Sequence, residues 1–147
     1  MQLAAHAKIN WSLRVTGKRD DGYHDIETLF QTISLHDTLT IEPADTLELT
    51  CSDPSIPTDD TNLVMRAAKA AGLTARIHLE KRIPAGGGLG GGSSDAAAVL
   101  SFAKKFDGNI ALSIGSDVPF FIHGGTQYAT GRGDLLTPLP SVAPVPL

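Results

Sequence analysis

The stretch with the plainest capacity for chemistry is Pro84–Ser94, PAGGGLGGGSS, where Gly86, Gly87, Gly88, Gly90, Gly91 and Gly92 surround the single side chain of Leu89. Glycine loses more backbone entropy on ordering than any other residue, about 0.5 to 1 kcal/mol relative to alanine in regular structure, so a run this dense implies that something approaches its backbone. Directly after it, SSDAAAVLSFAKKF reads as a helix. Ser93 or Ser94 can cap its start, Asp95 suits the positive end of its dipole, Lys104 and Lys105 suit the negative end, and Gly108 is expected to stop it. A loop without side chains feeding a helix N-terminus offers free N–H groups and partial positive charge, an arrangement that binds phosphate. The expectation is a nucleotide phosphate site.

Other glycine loops fit less well. The Walker pattern requires a lysine after its last glycine, and none follows here. Gly86, Gly88 and Gly91 formally match the dinucleotide fingerprint, a weak match in so glycine-dense a run. That fingerprint also follows a strand buried on both faces, whereas Ala75–Arg82 alternates Ile77 and Leu79 with His78 and Glu80. No acidic residue follows at the ribose-binding offset, where NIALSIGS stands. A bare flexible linker would not be flanked by a clean strand and a capped helix.

Three further groups could do chemistry. Lys8 and Asn10 project side by side from one strand, either as a solvated face or as the lining of a cleft. Tyr23 and His24 follow a glycine turn, as edge packing or as ligand contacts. Asp117 stands at the lip of the apolar run Val118–Ile122, as a turn former or as a working carboxylate.

The elements that must position these groups read as follows. Ala7, Ile9, Trp11, Leu13 and Val15 alternate with polar neighbours, which predicts a strand over Ala7–Val15 with one buried face. Gly17 to Gly22 reverse the chain. Ile26–Leu35 and Thr38–Glu42 read as strands joined by His36-Asp37, and Thr46–Cys51 as a third member of an antiparallel meander. Asp59, Asp60 or Thr61 can cap a helix over Asn62–Ala71, which Gly72 ends. Thr126–Thr130 reads as a strand, and Pro138, Pro140, Pro144 and Pro146 as an irregular tail. Helices interleaved with mostly antiparallel strands give an α+β fold.

At 147 residues the chain suits one domain with a real core. Its net charge of -4 provides no basic footprint for nucleic acid or an acidic membrane surface, so neither is expected as a partner. The single cysteine, Cys51, reads as a buried strand residue and fits a reducing compartment. No stretch approaches the roughly 20 apolar residues of a membrane span, and a cytoplasmic protein is expected.

AKINWSLRVTGKRDDGYHDIETLFQ, LEKRIPAGGGLGGGSSDAAAVL and IGSDVPFF together resemble the GHMP small-molecule kinases, over a span from about Ala5 to Leu139. Gly22-Tyr23-His24 and Lys8-x-Asn10 narrow the resemblance to members whose substrate is a methylerythritol carrying cytidine diphosphate, on the methylerythritol phosphate route to isoprenoids. The resemblance implies a ribosomal protein S5 domain 2-like α+β fold, a mostly antiparallel sheet with helices packed on one face. It implies ATP, with Mg²⁺ travelling on the nucleotide; no protein ligand for the metal is assigned. Pro84, Ala85, Gly86, Gly87, Gly88, Leu89, Gly90, Gly91, Gly92, Ser93 and Ser94 would wrap the phosphates, with Asn62 near the adenine. Asp117 would take the proton of the substrate hydroxyl. Lys8 would lie beside it and steer that hydroxyl; a lysine about 4 Å from a carboxylate gains roughly 4 kcal/mol at an effective dielectric near 20. Asn10, Tyr23 and His24 would hold the substrate, Tyr23 by stacking on the base.

Such kinases are longer than this chain, so residues 1–140 are expected to be an N-terminal ATP-binding domain and 141–147 a tail leading to an absent C-terminal domain. The segments near 72–75 and 108–115 look shortened, the latter with room for a single turn. Rival readings are another GHMP kinase, of mevalonate or homoserine type, and an ATP-binding fragment without catalysis that could pair as a homodimer through an exposed face.

Overall fold

The computed structural model describes residues 1–105 and 107–140; the expected tail at 141–147 lies outside them. In chain order the elements are β1 (Gln2–Lys18), β2 (His24–Pro43), β3 (Glu48–Cys51), α1 (Leu63–Ala70), β4 (Ala75–Glu80), α2 (Gly91–Phe102), α3 (Gly108–Ile114), α4 (Val118–His123), β5 (Thr126–Thr130) and β6 (Leu135–Leu139). The fold is α+β, as the patterning predicts.

One long strand organises the sheet. β2 pairs with β1 along one edge, and with β4 (at Thr38–Pro43) and β5 (at Thr28–Gln31) along the other, all antiparallel. β6 adds antiparallel to β5, and β3 adds parallel to β4. Two expectations are corrected here. His36-Asp37 does not divide two strands but lies within the unbroken β2, and β3 is no meander member because it runs alongside β4. Pro138, expected in an irregular tail, falls within β6, an edge strand, the position in a sheet where proline is tolerated.

β4 keeps the predicted alternation, with Ala75, Ile77 and Leu79 buried and Arg76, His78 and Glu80 exposed. The sheet is therefore wet on one face. On the other, Leu39, Ile41, Ile77 and Leu79 pack with Val64, Ala67 and Ala68 of α1, with Ala96, Ala97, Val99 and Leu100 of α2, and with Val118 of α4. Each large aliphatic side chain buried this way stabilises the fold by about 1.5 to 3 kcal/mol.

The helix ends depart from expectation. Asn62 itself caps α1, accepting from Val64 N at 2.8 Å, in place of Asp59, Asp60 or Thr61. Gly72 (φ 67°) ends it as predicted, with Gly72 N bonded to Lys69 O and Leu73 N to Ala68 O. α2 starts within the glycine run, with Gly90 at its cap, so the expected Ser93 or Ser94 cap is not used. Lys104 (φ 56°), rather than Gly108, turns the chain at its far end, closing Lys104 N to Ser101 O and Lys105 N to Leu100 O. Gly108 instead opens α3, a seven-residue helix where a single turn was expected, capped by Asp107 onto Asn109 N. Pro119 sits in the first turn of α4, where its missing N–H is not needed.

β1 obeys its simple alternation only at the start. Register shifts between His6/Lys8, Asn10/Ser12 and Val15/Gly17 break the pairing with β2. Trp11, Leu13 and Val15, expected in the buried face, are each more than half exposed. Lys8, expected on an open face, is 6% exposed. A register shift changes which residues face the core. That between His6 and Lys8 sets Lys8 and Asn10 opposite Thr32 and Phe30, and Phe30 packs against Phe120 of α4.

Candidate functional site

The glycine run forms the wall of a cleft of about 610 Å³. Around it stand Lys8 from β1, Asn62 at the head of α1, Lys81 after β4, residues 84–93, Asp95 of α2, and Asp117 before α4. Four separate stretches of chain thus bring the predicted nucleotide loop, Asn62, Lys8 and Asp117 to one opening.

The loop is anchored by its only large side chain. Leu89 packs with Ala7, Ile33 and Ile83, and its carbonyl accepts the Lys8 N–H at 3.0 Å. Gly86, Gly88 and Gly90 have φ of 75°, 73° and 72°. At Gly90 glycine is needed on two counts, because a Cβ there would also meet Phe121 Cζ at 2.6 Å. Beyond it α2 begins with no side-chain cap. Its first N–H groups lack intrahelical partners and carry the positive end of the dipole. The loop and helix start therefore fit a polyanion such as a triphosphate.

Lys8 and Asp117 face this cleft from β1 and from the head of α4. Burial pushes the Lys8 ammonium below its ordinary pKa, and the Asp117 carboxylate partly restores it. No direct ion pair joins the two among the described residues. The ammonium donates to Asn10 Oδ1 at 2.7 Å and lies 5.2 Å from the Phe30 ring centroid. Asn10 in turn donates to Thr28 Oγ1 at 2.7 Å. Asp117 occupies the cap position of α4 without making a side-chain capping bond, which leaves its carboxylate free for other work.

The remaining candidates are more dispersed. Asn62 lines the cleft while its side chain both caps α1 and donates to Pro57 O at 2.9 Å. Ser94 is buried away from this cleft; its hydroxyl donates to His6 O at 2.6 Å and lines a separate, more apolar opening beside Leu3, Phe102 and Phe121. Tyr23 and His24 sit at the tip of the β1–β2 hairpin, where Lys18 pairs with His24. The Tyr23 ring is exposed on one side and has the Arg132 guanidinium 4.2 Å from its centroid on the other.

Sequence reasoning missed Arg132 and the buried charges Asp37 and Lys81, and misassigned Asp95. Lys81 Nζ bonds Asp37 Oδ2 at 2.6 Å and Asp95 Oδ2 at 3.2 Å. Burial pushes the Asp95 carboxyl up to about 8, against the opposing pull of Lys81. The partners are far apart in the chain, so no local pattern announced them. Among the described residues, no helix is long and apolar enough to cross a membrane.

Known proteins resemble this chain along most of its length. Residues 62–125 match the family described as GHMP kinases N terminal domain. The 4-diphosphocytidyl-2-C-methyl-D-erythritol kinase of Salinibacter ruber is 52% identical, the match covering 92% of this chain and 53% of that protein. The kinase of the same name from Protochlamydia amoebophila is 45% identical, covering 97% and 55%. A crystal structure of 4-(cytidine 5'-diphospho)-2C-methyl-D-erythritol kinase superposes with a TM-score of 0.78 at 43% identity, covering 95% of this chain and 55% of that one. The chain thus spans about half the length of the curated relatives it matches. With a cleft of this architecture and relatives of this similarity, the chain resembles the GHMP kinases, whose N-terminal domain it matches over residues 62–125.

Proposed function

We propose that this chain is the ATP-binding part of a kinase that phosphorylates a hydroxyl of 4-diphosphocytidyl-2-C-methyl-D-erythritol, a step in making isoprenoid precursors by the methylerythritol phosphate route. The observation that carries this reading is a single cleft lined by the glycine loop together with Lys8 and Asp117. Loop amides and the α2 N-terminus would hold the phosphates, and Mg²⁺ carried on the nucleotide would offset part of their charge; no side chain is assigned to the metal.

The substrate hydroxyl oxygen attacks the γ-phosphorus, the bond from that phosphorus to the β,γ-bridging oxygen breaks, and ADP leaves. Asp117 accepts the hydroxyl proton. Such general-base assistance contributes about 10² to 10⁴ in rate, and alignment with charge stabilisation supplies most of the rest. Lys8 turns its ammonium toward the same space and, through Asn10, is held at a fixed angle. Asn10, Tyr23 and His24 receive the cytidine diphosphate end, the open face of Tyr23 taking the base.

The test is phosphate transfer from ATP to the cytidine-linked alcohol, by the chain alone and by the chain mixed with the rest of a relative. Formation of the phosphorylated alcohol, lost in Asp117→Asn while ATP still binds, supports the reading; ordinary turnover in that variant refutes the base assignment. A second reading, a nucleotide-binding unit inactive by itself, is favoured by the half-length match to its relatives. It predicts ATP binding in a calorimeter without transfer.

A further inference from the structure

The two ends of the glycine loop meet over buried charges that the proposed reaction does not use. Asp37, on β2, is 0% exposed. It accepts from Arg82 N at 2.6 Å, from Ile83 N at 2.9 Å and from Lys81 Nζ at 2.6 Å. Those donors are the residues leading into Pro84, so Asp37 holds the first end of the loop. Lys81 reaches on to Asp95 Oδ2 at 3.2 Å, in the second turn of α2, and so holds the other end. The contact between the ends is close: a Cβ on Gly91 would come within 3.0 Å of Ile83 Cγ2 and 3.1 Å of Lys81 Nζ.

A plain stability role would place such a cluster anywhere in the core. Here each charge ties a segment that borders the loop. Asp37 does not itself line the cleft, whereas Lys81 and Asp95 do. The arrangement is also under-satisfied, since Asp95 Oδ1 is buried without a partner, a cost that calls for an explanation. Buried charges can be kept because they fix one geometry rather than because they stabilise.

We propose that Asp37, Lys81 and Asp95 form a positioning triad that sets the shape of the glycine loop, so that nucleotide affinity depends on Asp37, a residue outside the cleft. The affinity part rests on the nucleotide reading above; the loop-shape part does not. Asp37→Asn weakens the tie at the first end. Asp95→Leu cuts it at the second, leaving Lys81 and Asp37 as a matched pair.

Both variants are studied in the full chain at a temperature where circular dichroism reports them folded. Two amides report the loop without any nucleotide: Lys8 N, donated to Leu89 O, and Ser94 N, donated to Gly90 O. The triad predicts that both exchange with solvent about tenfold faster or more, while β5 amides keep their rates. It also predicts ATP binding about tenfold weaker, equivalent to about 1.4 kcal/mol. A lowered melting temperature with unchanged Lys8 and Ser94 exchange and unchanged ATP affinity overturns the proposal and leaves the triad a stability element only. If Asp37→Asn fails to fold, Asp95→Leu decides by the same readings. If the unaltered chain binds no ATP, the nucleotide reading fails and the exchange rates still decide the triad.

Discussion

Gly90→Ala separates the two demands that the loop makes on its backbone. Gly90 has φ of 72°, and a Cβ there lies 2.6 Å from Phe121 Cζ and 2.8 Å from Phe121 Cε2. Left-handed backbone costs a residue with a Cβ roughly 1 to 2 kcal/mol. Forcing extra volume against a packed ring adds about 1 to 3 kcal/mol. The sum, about 2 to 5 kcal/mol, falls on the cap of α2 and is relieved by displacing the loop or the Phe121 ring. If the lower figure is lost from nucleotide binding alone, affinity falls roughly 30-fold. Gly86→Ala is the matched control, since Gly86 has φ of 75° but nothing within 4 Å of its Cβ, so only the backbone cost applies. ATP titration calorimetry on both variants, with melting curves alongside, reads the difference. Equal effects from the two, or Gly90→Ala binding ATP within about twofold of the unaltered chain, would refute the argument from close packing.

Three further outcomes are expected of the same fold. Asp95 has its carboxyl raised from 3.8 to about 8 in the folded chain, so the folded state binds the extra proton and stability falls as pH rises from about 4 toward 8. Lys81 opposes no part of this trend: burial disfavours its charge, Asp95 and Asp37 outweigh burial and raise its pKa, and its contribution is lost only at alkaline pH. Asp95→Asn should therefore gain melting temperature relative to the unaltered chain by an amount that grows between about pH 5 and pH 8; a constant difference contradicts the assignment. Lys104→Gly relieves the only non-glycine positive φ among the described residues and should stabilise by about 1 kcal/mol in urea denaturation. Leu13→Thr, at a side chain 60% exposed, should change stability by less than about 0.5 kcal/mol despite the alternating pattern around it, again by urea denaturation.

What was legible in the chain was whatever depends on near neighbours. The alternation of β4 and the glycine run ahead of α2 are local signals, and both appear where the sequence puts them. Asp117 was singled out by its place before an apolar run, and it does face the cleft, but the helical form of that run was not foreseen. Alternation fails in β1 because it assumes an unbroken ladder, whereas three register shifts change which residues turn inward. That is why Lys8 is buried and Leu13 is not. Serines are good caps, which sets the expected start of α2 too late; Gly90, at a φ of 72°, caps it instead. Asp37 looked like a turn residue; its partners Arg82 and Ile83 become neighbours only when β2 and β4 pair. Arg132 beside Tyr23 depends in the same way on β5 and β6 returning to the hairpin.

Phosphate transfer in this cleft depends on where a triphosphate lies. A crystal of the chain with a non-hydrolysable ATP analogue and Mg²⁺ is predicted to hold the phosphates against the amides of residues 86–93, with the terminal phosphate directed at the Asp117 carboxylate and room between them for a hydroxyl within about 3 to 3.5 Å of phosphorus. An analogue seated in the opening beside Leu3 and Phe102, or one whose terminal phosphate points away from Asp117, would contradict it.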